Sequence, residues 1–382
     1  MKPSAYPAAR AVAATVEEYF ASHLAAARRH QPEVLAPKPD ARSVEAIIDA
    51  AFWASLQHEE GSSPKISLAF LPIEQAGQPL AFEREFPMTP SVLSRLAPAV
   101  ERPGIHLGIW PASDQSAELR IWGTTRAIPK LCFVLEVIEP GLLVVKYRRS
   151  QETGKYVNVV VLKGDQVKVL DEKGSGLPDC PALLTPLLSF GSPASDTDSV
   201  NALMPLAVSM RAHGRGGSLL VVPQGSDYWK QSILQPVPYL VSPPFSELAD
   251  LMRRDSIEKS QQAWQEAFID AVDAMAGLTA VDGAALINER YELLAFGAKI
   301  GRRDGGAQIE RVIVTEPVVG VVQEIVHPME LGGTRHLSAA QFVSDQQDSL
   351  ALVASQDGRF TVFAWSPCEG LVHAHRVEAL LM

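Results

Sequence analysis

Hydrophobic residues recur along this chain at two periods, near 3.6 and near 2, and the switches between them mark out helices and strands. Val12, Val16, Phe20 and Leu24 fall at helical spacing in the Ala-rich residues 1–40, which run into Arg28-Arg29-His30. Basic side chains in a last turn suit the helix dipole. Ser43 stands as an N-cap ahead of Val44, Ile47, Ile48, Ala51, Phe52 and Leu56, one apolar stripe that stops near Gly61. The unbroken run 66–71 closed by Pro72 predicts a buried strand, and a helix over 90–100 precedes strands at 105–110, 118–123, 131–138, 142–148, 156–162 and 166–170.

Residues 173–197 carry Gly174, Gly176, Pro178, Pro181, Pro186, Gly191 and Pro193, a composition that marks a linker. The pattern then starts again. A helix led by Ser199-Val200 carries Leu203, Leu206 and Met210; Gly214 to Gly217 break it, and the strand 218–222 ends at Pro223. A long helical stretch spans 243–280 with Leu248, Leu251, Trp264, Phe268, Val272 and Met275 on one side. Strands at 284–287 and 292–296, strand-like runs at 312–314 and 318–322, a helix through 338–342, and strands at 350–354 and 360–365 complete the chain.

The expected fold is therefore a two-domain α/β (α+β) protein. It has an N-terminal helical segment (1–40), a sheet-rich α+β domain (41–172), a linker (173–197) and a C-terminal domain (198–382) with a mixed sheet flanked by helices. The two domains read in parallel: 43–72 and 199–223 share helix, glycine break, strand and proline. Pro103-Gly104-Ile105 stands opposite Asp282-Gly283-Ala284, Glu118-Leu119-Arg120-Ile121 opposite Glu292-Leu293-Leu294-Ala295, and Leu142-Leu143-Val144-Val145 opposite Leu350-Ala351-Leu352-Val353. This suggests a duplication whose first copy lost its site.

Composition narrows the function. Apolar residues at 47% and charged residues at 20% exclude wholesale disorder, and a net charge of −10 argues against a surface that coats nucleic acid. Cys132, Cys180 and Cys368 lie far apart without Cys-x-x-Cys spacing, against a disulfide framework or zinc site and in favour of a reducing cytoplasm. The N-terminus shows no secretory pattern, and no stretch reaches the roughly 18 apolar residues of a membrane span. The expectation is a cytoplasmic protein without a membrane anchor. P-loop, Rossmann, nucleophile-elbow and zinc-helix patterns are missing, and His373-Ala374-His375 lacks a supporting ligand set.

The chemistry concentrates in two places. Asp282-Gly283-Ala284 heads an apolar run, and Gly332-Gly333-Thr334-Arg335-His336 opens a small-residue helix. An aspartate at a strand end can hold a divalent cation against phosphates, and glycine admits close backbone approach. Thr334 offers a hydroxyl, Arg335 a fork of donors matched to phosphate, His336 an imidazole, and a helix N-terminus favours anions. The basic turn Lys299-Ile300-Gly301-Arg302-Arg303 reads first as a solvated hairpin tip.

This pair of signatures resembles those of the diadenylate cyclase domain superfamily, whose members condense two ATP into cyclic di-AMP. The C-terminal third is most like the DACNV-type group of probable nucleotide sensors. The chain departs from the cyclases at Leu337, where they carry a second arginine, and at Ser355-Gln356-Asp357-Gly358, where an expected carboxylate is an amide. Removing a group that stabilises transition-state charge costs about 2.7–4 kcal/mol, so turnover suffers more than binding. The resemblance thus implies a bacterial signalling sensor that binds a nucleotide or cyclic dinucleotide rather than making it. Asp282, Gly283, Ala284, Gly333, Thr334, Arg335, His336 and Ser355 would form the site, and Mg²⁺ or Mn²⁺ would be held by Asp282 and His336 with the nucleotide. A homodimer and an effector protein are the implied partners. An active diadenylate cyclase using Asp282, Arg335 and His336, and a non-binding structural adaptor, are the alternatives.

Overall fold

The Ala-rich start is a single helix, α1 (Pro7–His30), whose Val12, Val16, Phe20 and Leu24 are buried. Those side chains join the same core as the next helix, α2 (Ala41–Ser55), and Tyr6 stacks on Phe52 at 3.8 Å. Residues 1–40 therefore belong to the first domain instead of standing apart. The cap of α2 is Asp40, which accepts from the Ser43 amide at 2.7 Å; Ser43 lies inside the first turn. The computed structural model describes residues 5–30, 35–57, 63–113, 118–148, 156–171, 201–259 and 261–382. The linker 173–197 and Ser199-Val200 lie outside them.

Among the described residues the chain divides into two units, Met1–Leu170 and Asp171–Leu381. The first continues with β1 (Ile66–Phe70), β2 (Leu80–Pro87), α3 (Pro90–Leu96), β3 (His106–Pro111), β4 (Leu119–Thr125), β5 (Phe133–Glu139), β6 (Leu142–Arg148), β7 (Tyr156–Lys163) and β8 (Gln166–Val169). These strands form one sheet in the order β2-β4-β3-β1-β5-β6-β7-β8. Because strand side chains alternate between faces, Leu68, Phe70, Leu107, Ile109, Leu135 and Val137 meet the helices, while Ala69, Leu71, Trp122, Cys132 and Val134 form a small cluster on the other face.

The second unit contains α4 (Leu203–Ala212), β9 (Gly217–Val222), β10 (Tyr239–Phe245), α5 (Glu247–Arg253), α6 (Ser256–Lys259), α7 (Gln262–Leu278), β11 (Ala284–Asn288) and β12 (Leu293–Ala298). It continues with β13 (Val312–Thr315), β14 (Glu324–Val326), α8 (Met329–Gly332), α9 (Thr334–Asp345), β15 (Leu350–Ala354), β16 (Phe360–Ser366) and β17 (Leu371–Arg376). The expected long helix over 243–280 is three helices, with Asp255 accepting from the Glu258 amide at 2.8 Å where one of them starts. The run 318–322 is not a strand; the edge pairing falls to β14 instead.

The second sheet runs β10-β12-β11-β9-β15-β16-β17-β13-β14. Its faces are covered from both sides: Leu219, Val221, Ala285, Ile287 and Leu352 meet α4 and α7, whereas Leu220, Val222, Leu286, Ala351 and Val353 meet Ala339, Ala340, Phe342 and Val343 of α9. The chain is thus a two-domain α+β protein with two large mixed sheets. Among the described residues no helix is long and apolar enough to cross a membrane.

Seven consecutive strands of the first sheet, β2-β4-β3-β1-β5-β6-β7, match seven of the second, β10-β12-β11-β9-β15-β16-β17, in order and in direction. Leu68 faces Leu107 and Leu135; Leu219 faces Ala285 and Leu352. On this grid Ser67 corresponds to Ser218, His106 to Ala284, Glu136 to Val353 and Lys146 to Phe363. The expected equivalences shift accordingly. Ile105 stands at Gly283, Ile121 at Leu293, and Leu350 to Val353 answers β5 instead of β6. The largest difference is an insertion: residues 126–132 join β4 to β5, while 299–349, with α9, join β12 to β15.

Candidate functional site

Two strand pairings bring the sequence signatures together. Gly217 pairs with Ala354, and Ala284 with Ala298, so the starts of β9 and β11 lie at the same end of the sheet as the finishes of β15 and β12. Gly216, Asp282, Lys299 and Ser355 flank that end, and α9 begins there. Two glycines set how closely the pieces approach. At Gly216, with φ +70°, a Cβ would sit 2.5 Å from Arg335 Nη1; at Gly283, with φ +118°, it would sit 2.4 Å from the Gly297 carbonyl carbon.

Asp282 is exposed and its carboxylate is paired with Lys299. The Lys299 hydrogen bond and charge, reinforced by Arg335, hold its pKa below the usual carboxylate range. Arg335 is exposed, its guanidinium lying over Gly216 near the Ala354 carbonyl and the Gln356 side chain. Gln356 donates to the Arg215 carbonyl at 3.3 Å. Ser355 is half-buried at the β15–β16 turn, where Arg359 pairs with Asp357 at 3.2 Å. Arg211 donates to the Gly358 carbonyl at 3.1 Å. Thr334 is exposed at the first position of α9, after Gly333, and Ala284 is buried in the sheet.

His336 is placed differently from the rest. It is buried, its ring lies under Gly332 and edge-on to Phe363 at 6.0 Å, and Nε2 is 3.4 Å from Thr361 Oγ1. Burial holds its pKa below the ordinary histidine value. Successive helix residues turn by about 100°, so Arg335 points outward while His336 turns in and Leu337 packs on the core beneath α9. Among the described residues no group of three or more His, Cys, Asp or Glu could hold a metal. Of the two residues expected to hold Mg²⁺ or Mn²⁺, Asp282 is exposed and paired with Lys299, whereas His336 is buried beside Thr361.

Lys299 joins the site without belonging to either motif. It pairs with Asp282, both side chains lying at the surface, and the Arg215 carbonyl accepts from Gln356. The basic turn is divided: the Arg303 amide donates to Asp345 Oδ2 at 3.0 Å, at the finish of α9 and away from Arg335 at its start.

The corresponding place in the first unit carries Gly104 where the second has Asp282, and nothing equivalent to α9. A different polar set crosses the sheet there. Ser67 Oγ lies 2.7 Å from His106 Nδ1, His106 Nε2 lies 2.9 Å from the Tyr156 hydroxyl, and Lys146 Nζ lies 2.5 Å from Glu136 Oε2 and 4.6 Å from the Tyr156 ring centroid. Burial, then the charges of Lys146 and Arg148, lower the His106 pKa to about 4. In the second unit His373 and His375 share a face of β17, with His375 Nδ1 2.6 Å from Thr315 Oγ1; burial, then His373, lowers the His375 pKa to about 3.

Both histidines are neutral when folded and take up a proton on unfolding below about pH 6.5, so stability falls as pH drops through that value toward their folded pKa. Each should contribute a slope of about 1.4 kcal/mol per pH unit. Urea melts between about pH 7 and pH 5 should show the loss, and His106→Asn should remove one histidine's share. Midpoints independent of pH across that window would contradict the buried neutral state.

Two mixed sheets of shared order, one with a cation-rich end, define the architecture. Within it, residues 33–126 match the model of a family described as a probable sensor domain, DACNV. The match covers α2 through β4 in the first unit, not the C-terminal stretch that carries Asp282 and Arg335. No curated protein matches the chain.

Proposed function

We propose that the chain is a sensor whose second unit binds a nucleotide or cyclic dinucleotide without turning it over, and that its two units descend from one duplicated domain. The carrying observation is the placement of the exposed Arg335 guanidinium over Gly216, close enough to Asp282 to lower its pKa. Arg335 and Lys299 supply charge for phosphate, and the Thr334 end of α9 adds backbone donors. Gly216 lets the Arg335 guanidinium close over it and Gly283 lets its strand pack against Gly297, while Gly333 leaves open space at the start of α9. Asp282 meets a ribose hydroxyl or a cation carried by the phosphates, and Ser355 gives a shorter polar contact. The match of residues 33–126 to a probable sensor domain and the shared strand order support a sensing role reaching both units.

Catalysis is the second reading, and Leu337 speaks against it. Its side chain packs toward the core, leaving that position without a cation for transition-state charge. Calorimetry with ATP, ADP and cyclic di-AMP, on the wild type and on Asp282→Ala, tests the proposal. Saturable binding of at least one, weakened by the substitution, is expected; no binding of any nucleotide would leave the adaptor reading. Accumulation of cyclic di-AMP from ATP and Mn²⁺ would establish the cyclase.

A further inference from the structure

At the other end of the second sheet a cleft of about 470 Å³ opens beyond Val222 and Pro223, where β9 finishes. One wall is the last turn of α9 and the residues after it, Ser344 to Ser349; the other is the turn carrying Tyr228 and Trp229, with Arg303 at the side. Since α9 begins at Thr334 and ends here, this cleft and the Asp282 site lie at opposite ends of one helix. In sheets with parallel pairs, the crevice beyond the carboxyl ends of the strands is the favoured place for a ligand, and β9 with β11 is such a pair.

The walls are built and fixed. Gln346 donates to the Tyr228 carbonyl at 3.1 Å and to Ser232 Oγ at 2.9 Å, tying the finish of α9 to the opposite wall. Asp345 Oδ2 accepts from the Arg303 amide at 3.0 Å. Trp229 is buried, with Lys230 5.5 Å from its ring centroid, while Tyr228 is 70% exposed at the rim. The volume falls in the range of small-molecule sites.

We infer that this cleft binds a neutral, polyhydroxylated molecule of monosaccharide size. Planar amide and carboxylate groups (Gln231, Gln347, Asp348) meet pairs of neighbouring hydroxyls, and the Tyr228 ring presents a face for the apolar side of such a ligand. Charge selects against an anion. The negative end of the α9 dipole, Asp345 and Asp348 all face the cleft, and Arg303 offsets only part of that potential. Phosphate therefore belongs at the opposite end of the helix. The inference stands independently of the nucleotide reading.

The test is ligand-observed NMR and calorimetry on the full chain with glucose, galactose, ribose and myo-inositol, with inorganic phosphate as the contrasting probe. Saturable millimolar or tighter binding of at least one polyol is expected. Tyr228→Ala should weaken it by about tenfold, Asp348→Asn should weaken it, and Arg335→Ala should leave it unchanged. Tyr228 and Asp348 are exposed, so both variants keep the fold, which thermal melting verifies. Absence of saturable binding by all four polyols would overturn the inference, as would polyol binding untouched by both cleft variants or phosphate binding that Tyr228→Ala removes.

Discussion

Arg335→Ala is expected to lower nucleotide affinity by about 10- to 150-fold while leaving the melting temperature of the protein nearly unchanged. A hydrogen bond to a charged group contributes about 1.5–3 kcal/mol net, and the guanidinium offers two such bonds to one phosphate. The stability half follows from exposure: the side chain lies over Gly216 at the surface and closes no core contact. Arg335→Lys should recover only part of the affinity, because an ammonium keeps the charge but not the planar fork. Titration calorimetry beside a thermal melt separates the outcomes. Affinity equal to wild type would remove Arg335 from the site, and a large fall in melting temperature would make its role structural.

In the first unit the largest effect is expected from Glu136→Gln. It leaves the Lys146 ammonium, whose side chain is 10% exposed, without its counter-charge. Removing one partner of a buried pair costs about 3–5 kcal/mol, and the 23% exposure of Glu136 places this case toward about 3. The second unit supplies the control. At the corresponding positions it carries Val353 and Phe363, buried together under α9. Glu136→Val combined with Lys146→Phe should therefore be less destabilising than either single change, since an apolar pair of similar volume often replaces a buried ion pair without loss. Denaturant melts with hydrogen exchange at β5 and β6 would measure it. A double variant as unstable as the sum of the singles would break the equivalence of the two grids.

The elements most legible in the sequence were those whose burial imposes a pattern. The central strands β1, β9 and β15 are buried along their whole length and stand out as nearly continuous apolar runs. The edge strands β2 and β10 do not, because their side chains are mostly exposed and no face has to be hydrophobic. β10 even contains Pro243-Pro244, which argues against a strand except at an edge. β17 was recognised only as a candidate for its two histidines, whose burial follows from pairing with β13 and β16. Within the site, Asp282 and Arg335 belong to motifs, whereas Lys299 is visible only through strand order, which places distant residues at one end of a sheet. The inward turn of His336 depends on the helical phase of α9, and one residue of difference would swing it by about 100°.

The chemistry of β2 and β10 bears on edge-to-edge pairing between sheets. An unpaired outer strand is a template on which another chain can zip, and each open sheet carries that hazard at both of its borders. Pro243 and Pro244 deprive one border of amide donors, while Glu83, Arg84 and Glu85 set a charged fence along the other. Two unlike devices thus guard corresponding borders against fibrous association.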